Sequence, residues 1–502
     1  MNESPVTGAV SASPFADPDY GREAEAPGYI IASKPTWTLE QNQSAWTGLA
    51  GVVVLIAGGI FFSSYWHTPD ILGERATAAQ LDMFETIWKA RYGLLMLFAF
   101  IAMFLLETLC FKTHRRHFDF STPRPVDAAA WRRIFGRWIV VALGFALAWS
   151  LYWLWDHYAG AKFEVRKVFR EGEDFNQYAN GLFFVFFFAL LPIALVCSVP
   201  YFWLVERYAR PGGPHDEFLI AGLCLKRFAI GFFDPAYRAE GYKALSNEHL
   251  HNLGRGLLVK FFFVPIMLQS AFDYWGRWED GWFQYFYEYT RPEHATLASL
   301  AFEARTLQHT LMNLLIALDT TLALLGYIVS VRLLDTQITT AEPTFLGWVA
   351  ALLLYAPFNT NVTNKFFLHG GENDWSKVLE NYPLLTISVA LLSILLMAIY
   401  TWSTVSFGLR FSNLTNRGII CKGPYAVVRH PAYISKNLAW WFEGLPFVNH
   451  DPWMAVMHSV NMFSVNLLYV LRAWTEERHL SREPHYQAYK EKVRWKFIPF
   501  VW

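Results

Sequence analysis

The sequence predicts an all-α, polytopic integral membrane protein with eight to ten spanning helices, and three observations carry that expectation. Of the 502 residues, 54% are hydrophobic and 17% charged, too apolar for an ordinary soluble domain. The apolar residues gather into runs that match the roughly 20 helical residues needed to cross about 30 Å of hydrocarbon. Trp and Tyr stand at many run ends, among them Trp46, Trp66, Trp88, Tyr158 and Trp474, where amphipathic rings favour the headgroup layer.

Residues 1–45 are rich in Pro, Ser, Ala and acidic side chains without helical period, and read as a disordered cytoplasmic tail. The first apolar run starts near Ala45 behind that acidic tail rather than a short basic one. It is therefore expected to stay as the first anchor, not to be cleaved. Candidate spans follow at 46–66, 90–111, 138–156, 181–204, 256–275, 308–333, 344–360 and 382–407. Residues 46–370 thus form an N-terminal bundle whose role the sequence leaves open. A last pair, 433–448 and 452–474, meets at Asn449-His450-Asp451-Pro452. Its first member is short and holds Pro446, so it is expected to cross only part of the bilayer.

Loop charge sets the expected sidedness. Residues 111–137 carry Lys112, Arg115, Arg116, Arg124, Arg132, Arg133 and Arg137 against Asp119 and Asp127, which places this loop in the cytoplasm. Counting spans forward puts 205–255, 334–343, 408–432 and, after a hairpin, the basic C-terminus on the same side. The two halves of the terminal cluster described below then share one membrane face.

Several functions are disfavoured. Net charge is zero and basic residues sit at segment ends, giving nucleic-acid binding little support. Cys110, Cys197, Cys224 and Cys421 show no ligand spacing; three lie in or near apolar segments, where a small buried thiol is the ordinary explanation, and Cys421 borders the motif described below. His249 and His251 point apart on a helix and lack further ligands at a recognised spacing, so no metal site is expected. The stretch 221–233 suits an amphipathic segment on the membrane face. No phosphate-binding glycine loop is present, which counts against an ATP-driven pump. Asp319, within an apolar run, marks either a translocation path or, more commonly, a pair inside the bundle that Thr320 and Thr321 can satisfy locally.

The richest chemistry lies between Gly423 and Trp502, where ionisable groups bracket the last apolar segments. Gly423-Pro424-Tyr425 makes a turn. Arg429-His430-Pro431 presents polar groups just before a helix, with Pro431 suited to its first turn. Tyr433 and Asn437 share one helix face. Across the hairpin, Arg472, Glu476 and Glu477 emerge at the end of the last span, and the carboxylates suit an amine, hydroxyls or a proton. Tyr486 and Tyr489 share one face of a final polar helix and are placed to close as a lid. The alternative is that Arg429, Glu476 and Glu477 simply pair with headgroups or one another.

In order and spacing, GPYAVVRHPAYI at 423–434, EERHL at 476–480 and YQAYKEKVRWKFIPF at 486–500 resemble the isoprenylcysteine carboxyl methyltransferases and their phospholipid-methylating relatives. The resemblance covers residues 380–502 and leaves the upstream bundle without a counterpart. It implies S-adenosylmethionine as cofactor, held on the cytoplasmic side by Tyr425, His430, Pro431, Tyr433, Asn437 and Glu476, and no metal. Arg429 and Arg472 become candidates to hold an acceptor anion, and Glu477 a base for a neutral acceptor. Two departures stand out: Ser435-Lys436 replaces a glycine-containing step, and Val493-Arg494-Trp495 replaces a Val-Pro. Both are placed to alter the entrance and hence the substrate.

The implied function is methyl transfer to a lipid or hydrophobic small molecule, with the protein aligning donor and acceptor and excluding water. An NADPH-dependent sterol-type membrane reductase resembles the same terminal architecture, but its Arg/Cys/Lys-Tyr-Gly pattern is absent around 476–490. A non-enzymatic transporter or scaffold is the third reading, and the long upstream bundle is what favours it.

Overall fold

The computed structural model describes residues 43–65, 78–159, 175–210, 216–233, 247–288, 296–355, 358–363, 375–449 and 451–501. The expected tail at 1–45 falls outside them up to residue 42. The protein is an all-α polytopic membrane protein. Six described helices are long and apolar enough to cross a bilayer: Ser44–Ser63, Arg91–Cys110, His251–Phe286, Leu297–Ile328, Pro383–Arg410 and Pro452–Leu480. The expected segments 138–156 and 181–204 lie within two further helices, Ala128–Ala159 and Phe175–Tyr208.

The expected span at 344–360 is different. Its regular part is an eight-residue helix, Phe345–Leu352, which rises about 12 Å, well short of the about 30 Å of hydrocarbon. Thr344 caps its start and the run gives out in turns toward Pro357 and the Asn-rich 359–363. Apolar composition over 17 residues looks like a span only until those breakers are weighed.

The chain divides into two compact units. One comprises the described residues between 117 and 253. In it α3 (Ala128–Ala159) packs on α4 (Phe175–Tyr208) and α5 (Glu217–Phe233). Arg137 is 2% exposed and pairs with Glu206 and, at 2.8 Å, with Asp216; Arg133 adds a second bond to Glu206 at 2.9 Å. Such a buried network fixes geometry, since losing one member strands the others.

The other unit comprises Pro35–Arg116 and Gly254–Trp502, so the expected 380–502 module shares a unit with earlier helices. Its helices are α1 (Ser44–Tyr65), α2 (Ala78–Leu105), most of α6 (Asn247–Phe283), α7 (Leu297–Ile328), α8 (Phe345–Leu352), α9 (Pro383–Phe407), α10 (Pro431–Gly444), α11 (Pro452–Leu480) and α12 (Pro484–Lys492). Helix α9 is the hub, packing on α7, α10 and α1. Its inner face is small and hydroxylic, with Thr401, Ser403, Thr404 and Ser406 buried. Small residues let helix backbones approach where lipid offers no hydrophobic driving force. Gly48 of α1 lies so close to the Val405 carbonyl that a Cβ would collide with it. Ser44 Oγ donates to the Ser406 carbonyl at 2.7 Å beside it.

Asp319 is satisfied across helices rather than locally. Tyr400 donates to Oδ2 at 2.8 Å and Thr404 to Oδ1 at 2.5 Å, both from α9. Thr320 instead bonds back to the Ile316 carbonyl at 2.8 Å, the usual fate of a mid-helix hydroxyl. Thr321 accepts from the Trp275 indole at 3.0 Å.

At one end of this unit a two-residue antiparallel ribbon joins β1 (Thr340–Ala341) to β2 (Thr415–Asn416). It ties the loop after α7 to the loop after α9. Arg417 reaches back to the last carbonyls of α7, those of Gly326 and Val329, where a cation suits the helix C-terminus. Glu342, 1% exposed, fastens the start of α8 to the end of α11 through Thr344, Arg478 at 3.3 Å and His479 at 3.8 Å.

The α10–α11 hairpin is set by its caps. Pro431 and Pro452 occupy first turns, and Asp451 accepts from the Trp453 amide at 2.9 Å. Along α11, Trp453, Val456, Val460, Phe463 and Leu467 are exposed at three- and four-residue steps, an apolar stripe suited to lipid. Met462, Val465, Tyr469, Arg472 and His479 are buried on the inward side.

Candidate active site

The site begins at a turn only glycine fits. Gly423 has φ +64°, and a Cβ there would strike the Ser406 hydroxyl of α9. The chain passes through Pro424-Tyr425-Ala426 and straightens at Arg429 and His430. Their amides donate to the Trp495 and Lys496 carbonyls, each at 3.0 Å, so the C-terminal residues lie as a strap against the motif. Arg429 Nη1 adds bonds to the Val493 and Arg494 carbonyls, both at 2.9 Å.

Glu477 of α11 closes this arrangement. Its Oε1 accepts from Arg429 Nε at 2.8 Å and lies 3.1 Å from His430 Nε2, while Oε2 pairs with Lys496 at 3.2 Å. Against the opposing effect of burial, the His430 and Arg429 hydrogen bonds and the nearby cations hold the Glu477 carboxyl down at about 2. Glu477, expected as a base, and Arg429, expected to grip an acceptor, here form a clip that holds motif, strap and last span together. Lys496 was missed because the strap has no periodic signal.

One helical step away, Glu476 makes a single hydrogen bond among the described residues: Tyr433 donates to Oε2 at 2.6 Å. The His430 ring stacks on Tyr433, centroids 5.3 Å apart and planes 10° apart, and meets Phe497 at a tilt, 5.5 Å between centroids. Pro431 is buried at the helix start. Tyr425 meets Phe407 edge-on at 5.2 Å. Burial, and secondarily the Glu476 charge, push its phenol well above the ordinary range, so it stays protonated. The structure therefore brings His430, Tyr433 and Glu476 into direct contact across the hairpin.

Asn437 has another place. Its Nδ2 donates to the Tyr433 carbonyl at 2.7 Å and its Oδ1 accepts from Asn466 at 2.7 Å, while Trp441 donates to Asn466 at 2.8 Å. This ladder cross-links α10 and α11 through Asn437, the residue expected to meet a cofactor. The amide is already satisfied by protein. Tyr486 and Tyr489 are likewise not a lid. Both are buried with Ile419, Cys421 and Val493, and the Tyr489 hydroxyl donates to the Tyr425 carbonyl at 2.7 Å. They pin α12 under the motif turn. Burial raises the Cys421 thiol above its ordinary value, as for an inert packing thiol.

Arg472 is 7% exposed, bonded through Nη2 to Asn413 Oδ1, with its guanidinium over the Tyr433 and Tyr355 rings at 5.1 and 5.5 Å. Asn413 also binds the Tyr355 hydroxyl at 3.0 Å. Neither Asn413 nor Tyr355 was legible beforehand, since both reach the site from loops distant in sequence. Lys436 lies over Tyr400 and Trp440 at 5.0 and 5.1 Å. No group of three or more His, Cys, Asp or Glu able to hold a metal occurs among the described residues.

Comparison with known families gives one match: a family described as a protein of unknown function, DUF1295, over residues 365–493. The matched stretch contains the motif turn, the hairpin and α12, and stops short of Lys496. No curated protein and no solved structure matches the chain.

Proposed function

We propose that this protein is an S-adenosylmethionine-dependent methyltransferase acting on a lipid or hydrophobic small-molecule acceptor at the cytoplasmic face of the membrane. One observation carries the reading. Two stretches more than 40 residues apart, His430-Tyr433 and Glu476-Glu477, fold back onto each other at the end of the hairpin.

The groups there suit such a donor. The Tyr425 ring, edge-on to Phe407 and beside the stacked His430 and Tyr433, offers aromatic surface for an adenine ring or a sulfonium. Glu476, with one oxygen uncommitted among the described residues, offers an acceptor for an ammonium or hydroxyls. When bound, the cofactor supplies an already activated methyl group. The chain's part is to orient and to exclude water. Tyr433 donates to Glu476 and so aims the carboxylate. His430, held by Glu477, supports the Tyr433 ring from behind. The Tyr486–Tyr489 core seals the turn from beneath. A hydrophobic acceptor reaches this place from the lipid side, and a water-soluble donor from the aqueous side.

The test is equilibrium binding of labelled S-adenosylmethionine and of NADPH to the purified full chain in neutral detergent. Binding of the first, displaced by S-adenosylhomocysteine and weakened at least about tenfold in Glu476→Gln, is expected, since a hydrogen bond to a charged group contributes about 1.5–3 kcal/mol. NADPH binding without the other would replace this reading with a reductase. Binding of neither would leave a non-enzymatic membrane protein.

A further inference from the structure

The last span places two exposed indoles one bilayer apart. Trp453 and Trp474 of α11 are both exposed, with exposed Val456, Val460, Phe463 and Leu467 between them. They stand 21 residues apart. That is about 31 Å of helix, which matches the about 30 Å of hydrocarbon with an interfacial ring at either edge. Arg478 lies over the Trp474 ring at 4.9 Å, a cation at the same level. Glu477, three residues beyond Trp474, therefore stands in a headgroup layer. So does the strap, which Lys496 ties to Glu477 at 3.2 Å.

The residues after Lys496 are not built for water. Phe497 is buried, but Ile498, Phe500 and Val501 are 44%, 86% and 74% exposed. Val427 of the motif turn, two residues before the first amide that the strap holds, is exposed as well. Phe500 has φ +65°, a left-handed backbone that is uncommon for a bulky residue, and its ring meets Trp495 at 5.6 Å. Ahead of the strap, Lys492 and Arg494 are exposed, against one exposed carboxylate, Glu491. Lys490 is half-buried and donates to Ser481 at 2.9 Å, and Lys496 is engaged by Glu477. An apolar tip with cations behind it is the composition of a segment that lies in a membrane interface. The level set by Trp474 puts this one there, at the end of the lipid-facing stripe of α11.

We propose that residues 492–501 form an interfacial anchor on an anionic lipid surface: Ile498, Phe500 and Val501 enter the headgroup–acyl boundary while Lys492 and Arg494 meet anionic headgroups. The same strap holds the site. Its Trp495 and Lys496 carbonyls accept from the Arg429 and His430 amides, and Lys496 pairs with Glu477. Contact with the bilayer thus steadies the backbone on which His430 is set, and a membrane poor in anionic lipid loosens it. The inference stands whatever chemistry the site performs.

The test places the full chain in lipid nanodiscs, with bimane attached at Phe500→Cys in a Cys110→Ala, Cys197→Ala, Cys224→Ala, Cys421→Ala background. Phosphatidylcholine carrying a nitroxide high on its acyl chain should quench the probe, and aqueous iodide should not. Quenching by iodide alone overturns the proposal. So does shielding from both, which would mean that protein rather than lipid covers the tip. A second measurement follows hydrogen exchange of the Arg429 and His430 amides in the unmutated chain. Exchange should be slower in nanodiscs containing phosphatidylglycerol than in phosphatidylcholine alone, by about fivefold for each of Lys492 and Arg494. Lys492→Gln should give back one such factor, and Phe500→Ser should speed exchange in both membranes. Equal exchange of the unmutated chain in the two membranes overturns the proposal, as does an unchanged rate in Phe500→Ser.

Discussion

Glu477 and Arg472 lie five residues apart on the same helix, yet their surroundings are opposite. Glu477 is surrounded by Arg429, His430 and Lys496. Arg472 meets rings and one amide. An ion cluster that close fixes geometry, since losing one member strands the others, whereas a guanidinium among rings is held by softer contacts. The clip joins motif, strap and last span, and Arg472 ties the hairpin to Asn413 and Tyr355. Sequence alone gives no way to tell these roles apart, because both clusters read as Arg and Glu beside a membrane.

The largest effect should come from breaking the clip. Glu477→Ala leaves the Arg429 and Lys496 cations facing each other and strips His430 of its partner, and a loss of about 3–5 kcal/mol is expected for removing one partner of a buried pair. Melting of the detergent-purified protein reads it. A variant that melts like the unmutated chain yet has lost turnover would make Glu477 a catalytic group instead. Next in size, Tyr433→Phe removes the hydroxyl that aims Glu476. The expected result is a drop of about tenfold in S-adenosylmethionine affinity, about 1.4 kcal/mol, with a nearly unchanged melting point. An equal affinity would mean Glu476 needs no such support. Asn437→Ala should cost less, about 0.6–1.7 kcal/mol per interhelical hydrogen bond, all of it in stability. If cofactor affinity fell while melting held, Asn437 would belong to the cofactor site after all. The smallest effect is chemical: Cys421, buried with its thiol raised, should be alkylated by iodoacetamide more slowly than Cys110, exposed at the end of its span. Equal rates would mean the Tyr486–Tyr489 core opens readily.

Much of the architecture was legible because membrane helices leave a strong apolar signal, and the hairpin because two prolines and an aspartate cap it. The juxtaposition of His430 and Tyr433 with Glu476 and Glu477 followed from motif order plus an even number of crossings. Length decided where the reading failed. Residues 344–360 are apolar enough to span but are broken after Leu352. Roles were harder than positions. Arg429, Glu477 and Asn437 were legible as residues of the terminal hairpin, but what they touch depends on the strap at 493–497 and on Asn466. Lys436 was noticed only as a departure from a pattern. The i, i+3, i+7 match between Tyr433-Lys436-Trp440 and Tyr469-Arg472-Glu476 was present in the sequence, but pairing the two faces requires the hairpin geometry.

The most direct measurement is transfer of a labelled methyl group from S-adenosylmethionine into the organic extract of membranes containing the full chain, beside membranes containing Glu476→Gln. Label in a lipid-phase product with the unmutated protein, and at least about tenfold less with a variant that still melts normally, is the expected result. Equal labelling in membranes with and without the protein would contradict a methyltransferase site built where His430, Tyr433 and Glu476 meet.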